Sequence, residues 1–261
     1  MLDELLYGAA ALAAYKLFKK PAAPADIAKT ASTPDTSTYS PPYSPPGSSA
    51  GVAGAFAGAG SGGGGAIEKG ARESATPERI ARIKAAWQGR EIPGLNHIAF
   101  ALFVGQRESG SNYRPLNREA RAKGYPLGLN QLGYAGMYQV GALGLEEAKF
   151  IKPGRGGQGN IKCLTNIDNW TDICPGGLEQ FLNTPEFQEL AFAKFTNRNK
   201  IYIRSILSPG MPAQDLGGYL AGAHLKGHTG AKALASGTIR KDANGASTAE
   251  YYRIGATSQS V

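Results

Sequence analysis

The chain is poor in the residues that build metal and redox centres: it has two cysteines and three histidines in 261 residues. Cys163 and Cys174 form no Cys-x-x-Cys unit, which excludes a zinc ribbon. They share one loop-like segment, where they either close a small disulfide loop or remain two thiols. Both readings stand open. His224 and His228 have the four-residue spacing of a zinc pair. Leu225, however, stands where a metalloprotease keeps its Glu, so no metal site and no cofactor is expected. Asp242-x-Asn244-Gly245 lacks most ligands of a calcium loop and reads as a turn before a Ser/Thr-capped helix. Gly60 to Gly65 lacks the Lys and the strand-to-helix setting of a phosphate loop. Long hydrophobic runs are missing too. Leu5 to Phe18 is apolar but falls short of the roughly 20 residues that cross a bilayer. Asp3 and Glu4 precede it, where a signal peptide has a basic region. Alternation of period two is never sustained, so the fold class is mainly α.

What is abundant is glycine (36), proline (16) and positive charge, a formal +8. That charge predicts attraction to polyanions: nucleic acid, anionic lipid or an acidic wall polymer. The cations are scattered rather than aligned with aromatics, which argues against specific nucleic-acid readout. The composition divides the chain into three. Residues 1–20 form a hydrophobic helix that anchors in a membrane, with Lys16, Lys19 and Lys20 snorkelling, or docks on partner proteins. Residues 21–75 form a Pro/Ser/Gly-rich tether, stiff at Pro41 to Pro46 and slack at Gly60 to Gly65, with too little apolar surface to fold. Residues 76–261 form the helical domain, which begins at Thr76-Pro77-Glu78, an N-cap followed by Pro at the first helical position.

Within that domain Leu95 to Arg107 is an apolar helix that delivers Glu108 to a Ser109-Gly110-Ser111-Asn112 turn. The helix's negative end disfavours a charged carboxylate, and apolar walls would add to the effect. With such walls Glu108 holds a proton, as a general acid must; without them it is an ordinary exposed Glu paired with Arg107 or Arg114, and position alone favours the second reading. Further helices are predicted at Asn117 to Lys123 and Ala142 to Phe150. Another starts at Thr184-Pro185, with Phe187, Leu190, Phe195 and Ile201 on its apolar side. The last three are Gln214 to Lys226, Ala231 to Ser236 and Thr248 to Ile254. Lys152 to Gly177 reads as loop.

Glu108-Ser109-Gly110-Ser111-Asn112-Tyr113 resembles the Glu-Ser motif of the lytic transglycosylases, whose catalytic domain has a goose-type lysozyme-like fold. Gly133-Tyr134-Ala135-Gly136-Met137-Tyr138-Gln139-Val140 is similar to that family's Gly-Ala-x-Gly-Leu-Met-Gln-Ile loop. Ala221-Gly222-Ala223-His224-Leu225-Lys226-Gly227 resembles its Ala-Tyr-Asn-x-Gly helix, in the variant that looks like phage virion-associated wall-cleaving domains.

The resemblance covers roughly Ile80 to Ile254 and implies a virion-associated peptidoglycan lytic transglycosylase, with Glu108 as the general acid and base. It also implies substrate contacts from Gln139, from Met137 and Tyr138 lining the cleft, from Ser109 bracing the Glu or capping its turn, from Asn130, and from His224 in place of the family's Tyr. Only one other acidic residue lies between the two motifs, Glu119, in an arginine-flanked surface stretch. A second catalytic carboxylate is not needed by this chemistry. The implied partners are bacterial peptidoglycan and, through the N-terminal helix, other virion proteins. The implied place of action is the host periplasm and cell wall, from a virion, with residues 5–18 as a membrane anchor in one reading. A hydrolytic muramidase and a non-catalytic ejection protein with a lysozyme-like domain are the alternatives.

Overall fold

The structure, a computed structural model, describes residues 64–261. The hydrophobic helix expected within residues 1–20 and the tether over residues 21–63 lie outside the described residues. Among the described residues the fold is mainly α, and pairing is limited to isolated bridges such as Leu129 with Ala135 and Lys241 with Ser247. The helices are α1 (Gly64–Glu73), α2 (Pro77–Trp87), α3 (His97–Ser109), α4 (Arg118–Ala122) and α5 (Ala142–Glu147), then α6 (Asn160–Leu164), α7 (Gly177–Asn183), α8 (Pro185–Tyr202), α9 (Ala213–Ala235) and α10 (Thr248–Ser258). Among these residues no helix is long and apolar enough to cross a membrane.

The start of α2 is as expected: the Thr76 hydroxyl accepts from Arg79 N at 3.3 Å and Pro77 opens the helix. Ser247 caps α10 by accepting from Glu250 N, and Asp242 Oδ1 holds the preceding turn through Asn244 N and Ala246 N. Thr184 stands at the N-cap of α8, but its hydroxyl makes no capping bond there.

Three expectations change. The last ten residues before Ser74, read as tether, form α1 and pack on α3, with Ala71 fully buried. Small residues make this docking close: a Cβ on Gly70 would lie 2.3 Å from the Gln106 side chain. The stretch 152–177 is not all loop, since it holds α6 and two 3-10 turns. The apolar side expected for α8 is only partly its buried side, since Phe187, Leu190 and Phe195 pack half-buried against the core. Ile201 is 49% exposed, whereas Gln188, Glu189, Thr196 and Asn199 face inward beside Phe192.

Phe192 is the hub of the core. It stacks on Tyr138 at 3.9 Å and on Phe100 at 5.7 Å, and meets Trp87 and His224 edge-on. The helix α3 crosses this core with Phe100, Ala101 and Val104 fully buried. The α9–α10 pair has the most extensive helix–helix contact in the domain, because Gly217 and Gly255 let their backbones touch. A Cβ built on Gly255 would fall 2.1 Å from the Gly217 carbonyl oxygen.

Cys163 and Cys174 are both buried free thiols, which settles their state. Burial pushes the Cys163 thiol up, and pushes Cys174 up to about 12. A thiolate is the reactive form, so raising the pKa removes it at working pH. Ellman's reagent at pH 8 is expected to find neither thiol in the native protein and both after denaturation. Rapid native reaction would contradict this burial.

Candidate active site

Glu108 is the penultimate residue of α3. The helix ends because Gly110 turns left-handed (φ 63°, ψ 31°), which sends its N–H back to Gln106 O and that of Ser111 to Gly105 O. Ser111 also takes a positive φ of 64°, unusual for a residue with a Cβ. Its hydroxyl lies 2.9 Å from Gln106 Oε1 and 3.0 Å from Ser74 Oγ, which tie the turn to the end of α1. Ser109 takes the capping role: its hydroxyl donates to Gly105 O and accepts from Asn112 N.

The Glu108 side chain is 14% exposed, and one donor and one imidazole nitrogen converge on one of its oxygens. The Tyr251 hydroxyl, from α10, donates to Oε1 at 2.7 Å. His224 Nε2, from α9, lies 3.2 Å from the same oxygen. That nitrogen is also 2.9 Å from the Tyr138 carbonyl oxygen, which can only accept, so Nε2 carries a proton and donates it to that carbonyl, with Glu108 Oε1 beside it as a close contact. His224 Nδ1 is buried with no hydrogen-bond partner. Burial, and then the neighbouring carboxylate, push the Tyr251 hydroxyl well above the ordinary tyrosine range, which keeps it a donor. No hydrogen bond reaches Oε2 from the described residues. Neither arginine near Glu108 in sequence pairs with it: Arg107 donates to Glu250 at 2.8 Å, and Arg114 faces Asn183 and Glu179.

The other expected site residues divide. Met137 and Tyr138 do not line a cleft: they are 0% and 1% exposed. The Met137 sulfur sits 3.0 Å from Arg79 Nη2, and the Tyr138 ring is clamped by Phe192 and Glu189. Both are core residues because the loop folds inward at Gly136 (φ 71°), where a Cβ would lie 2.3 Å from Gln188. Gln139 is half-buried, has φ 46°, and donates to Gly136 O at 2.7 Å. Asn130 uses Oδ1 to hold a turn through Leu132 N and Tyr134 N. Glu119 is exposed on α4, and among the described residues no ion pair forms with its arginine neighbours. His224 and His228 do not share a helix face. The backbone of α9 leaves helical geometry at Lys226 and Gly227 between them, and His228 packs on Tyr202. Among the described residues no group of three or more His, Cys, Asp or Glu is placed to hold a metal.

Tyr251 is the residue that sequence reading passed over. It stands 143 positions from Glu108, so no local spacing announces it. A cleft of about 380 Å³ lies elsewhere, lined by Ile83, Trp87, Glu91 and His97, and contains none of these groups. The His97 ring there is already engaged, since Nε2 accepts from Ile92 N at 2.7 Å. No family model, curated protein or solved structure matches the chain.

Proposed function

We propose that the chain is a peptidoglycan lytic transglycosylase of a phage virion, with a lysozyme-like catalytic domain and Glu108 as its acid and base. The observation that carries this reading is the one-sided fixing of the Glu108 carboxyl. Tyr251 donates to Oε1 and His224 lies against that same oxygen, which leaves Oε2 as the oxygen that can carry a proton to a substrate. The three resemblances support it further, because Glu108, the 133–140 loop and His224 come from distant parts of the chain and meet at one point. The placement in a virion rests on the resemblance of the His224 helix and on the order of hydrophobic segment, tether and domain.

In this mechanism Glu108 Oε2 gives its proton to the glycosidic oxygen as the bond from that oxygen to MurNAc C1 breaks. The MurNAc 6-hydroxyl oxygen then bonds to C1, and its proton returns to Oε2. No water is consumed, and the product is a 1,6-anhydro ring. Between the two steps the carboxylate charge is met by the Tyr251 hydroxyl on Oε1 and by the neighbouring His224 ring, which are already in place. An internal nucleophile dispenses with a second carboxylate, in keeping with an exposed Glu119 on α4.

The test is digestion of purified sacculi followed by mass spectrometry of the released muropeptides. Anhydro ends are expected. Reducing ends, heavier by one water, would make the protein a muramidase, and no release at all would reduce the domain to a binding or ejection module.

A further inference from the structure

The helix α8 carries two adjacent polar side chains at the bottom of the core, Gln188 at 2% exposure and Glu189 at 0%. Neither can touch a substrate, and both are fully engaged. Glu189 Oε1 accepts from the Tyr113 hydroxyl at 2.6 Å, and Oε2 accepts from the Tyr138 hydroxyl at 2.5 Å. Gln188 repeats the same bridge on the backbone: Oε1 accepts from Met137 N at 2.7 Å, and Nε2 donates to Tyr113 O at 3.2 Å. Two side chains, one residue apart, thus tie the same two segments together. One segment is the turn that leaves Glu108, ending at Tyr113. The other is the 136–140 loop.

We propose that Gln188 and Glu189 are positioning residues that set Glu108 against the 136–140 loop, an inference that rests on the lytic transglycosylase reading. The link to the carboxyl is short. Glu189 and Phe192 hold the Tyr138 ring between them, and the carbonyl of Tyr138 accepts from His224 Nε2, the nitrogen that also meets Glu108 Oε1. On the other side Tyr113 ends a turn whose Gly110 and Ser111 are both left-handed, so its anchor fixes the direction in which α3 releases the chain.

The charge arrangement favours an acceptor at this point. The groups that face Glu189 are Tyr113 and Tyr138 from the two loops, and Arg79 and Arg82 from α2, with Arg79 Nε at 3.8 Å. Burial pushes the Glu189 carboxyl up, against the pull of those four groups. A carboxylate accepts from two hydroxyls at once, and an amide in its place accepts through one oxygen only.

The experiment uses the full chain and the variants Tyr113→Phe and Glu189→Gln, assayed well below their unfolding temperatures with the folded fraction measured by circular dichroism. In Tyr113→Phe, kcat per folded molecule is expected to fall about tenfold, with KM within about twofold, because the acid is displaced while remote glycan contacts persist. Glu189→Gln should lower kcat at least as much, and should move the 15N resonance of His224 Nε2, assignable because the chain has three histidines. A merely structural role would lower the unfolding temperature yet leave kcat per folded molecule and the His224 signal unchanged, and that result overturns the proposal. If the wild-type chain cleaves no glycan, the functional reading fails by itself. The His224 resonance in Glu189→Gln then decides this inference alone: a shift sustains the positioning link, and an unmoved signal removes it.

Discussion

Glu108→Gln is expected to lose release of anhydro-muropeptides by at least about a thousandfold, since one group serves as both acid and base and each role is commonly worth 100- to 10,000-fold. The substitution is close to isosteric. Its carbonyl oxygen can still accept from Tyr251 and lie beside His224 in place of Oε1. The amide then occupies the Oε2 position, where it can neither deliver a proton to a glycosidic oxygen nor take one from a hydroxyl. Because the packing is retained, the thermal midpoint should move by no more than a few degrees, in the range of a surface change. Activity is read as anhydro-muropeptide yield from sacculi, and folding by circular dichroism on the same sample. A Gln variant with undiminished turnover would remove Glu108 from the chemistry.

The second large effect is structural. Gly255→Ala puts a methyl group 2.1 Å from the Gly217 carbonyl oxygen and 2.5 Å from its carbon, both backbone atoms that no rotamer change can move. The helices α9 and α10 must separate to admit it. Overpacking of this kind costs about 3 kcal/mol or more, which in a domain of this size lowers the thermal midpoint by roughly 6–12 °C. Because α10 carries Tyr251 and α9 carries His224, separation also pulls apart the two side chains that meet Glu108. The control is Gly65→Ala on α1, where nothing lies within 4 Å of the added carbon. There the same chemical change should be neutral or gain a few tenths of a kcal/mol. Equal midpoints for the two variants would mean that the close helix crossing is wrong.

Much of the helical frame was legible because local chemistry writes it. Thr76-Pro77 and Ser247 announce helix starts, and the apolar run before Glu108, ended by Ser109-Gly110, announces both the helix and its stop. What escaped reading was governed by tertiary contacts. The helix α1 presents only a short apolar stripe, in a Gly-rich run that reads as tether. It is ordered by Ile67 and Ala71 seated against α3, with glycine allowing the approach. The inner face of α8 reads as polar because Gln188 and Glu189 are buried with partners from loops more than fifty residues away. The same contacts turn Met137 and Tyr138 inward, although a Gly-punctuated loop reads as a cleft wall. Tyr251 follows the general pattern: a donor brought by helix packing leaves no trace at the sequence position it serves.

The junction at Ser74 carries a practical lesson for anyone trimming this protein. Its hydroxyl accepts from Arg79 Nη1 at 2.7 Å and lies 3.0 Å from Ser111 Oγ. A fragment cut just before Thr76, at the border that composition suggests, would delete that oxygen together with the helix resting on α3. The guanidinium of Arg79 would lose an acceptor in the interior, and the left-handed serine beyond Glu108 would lose half of its support. Ten residues that look like the last of the leash are a doorstop for the turn after Glu108, and any shortened version should begin upstream of Gly64.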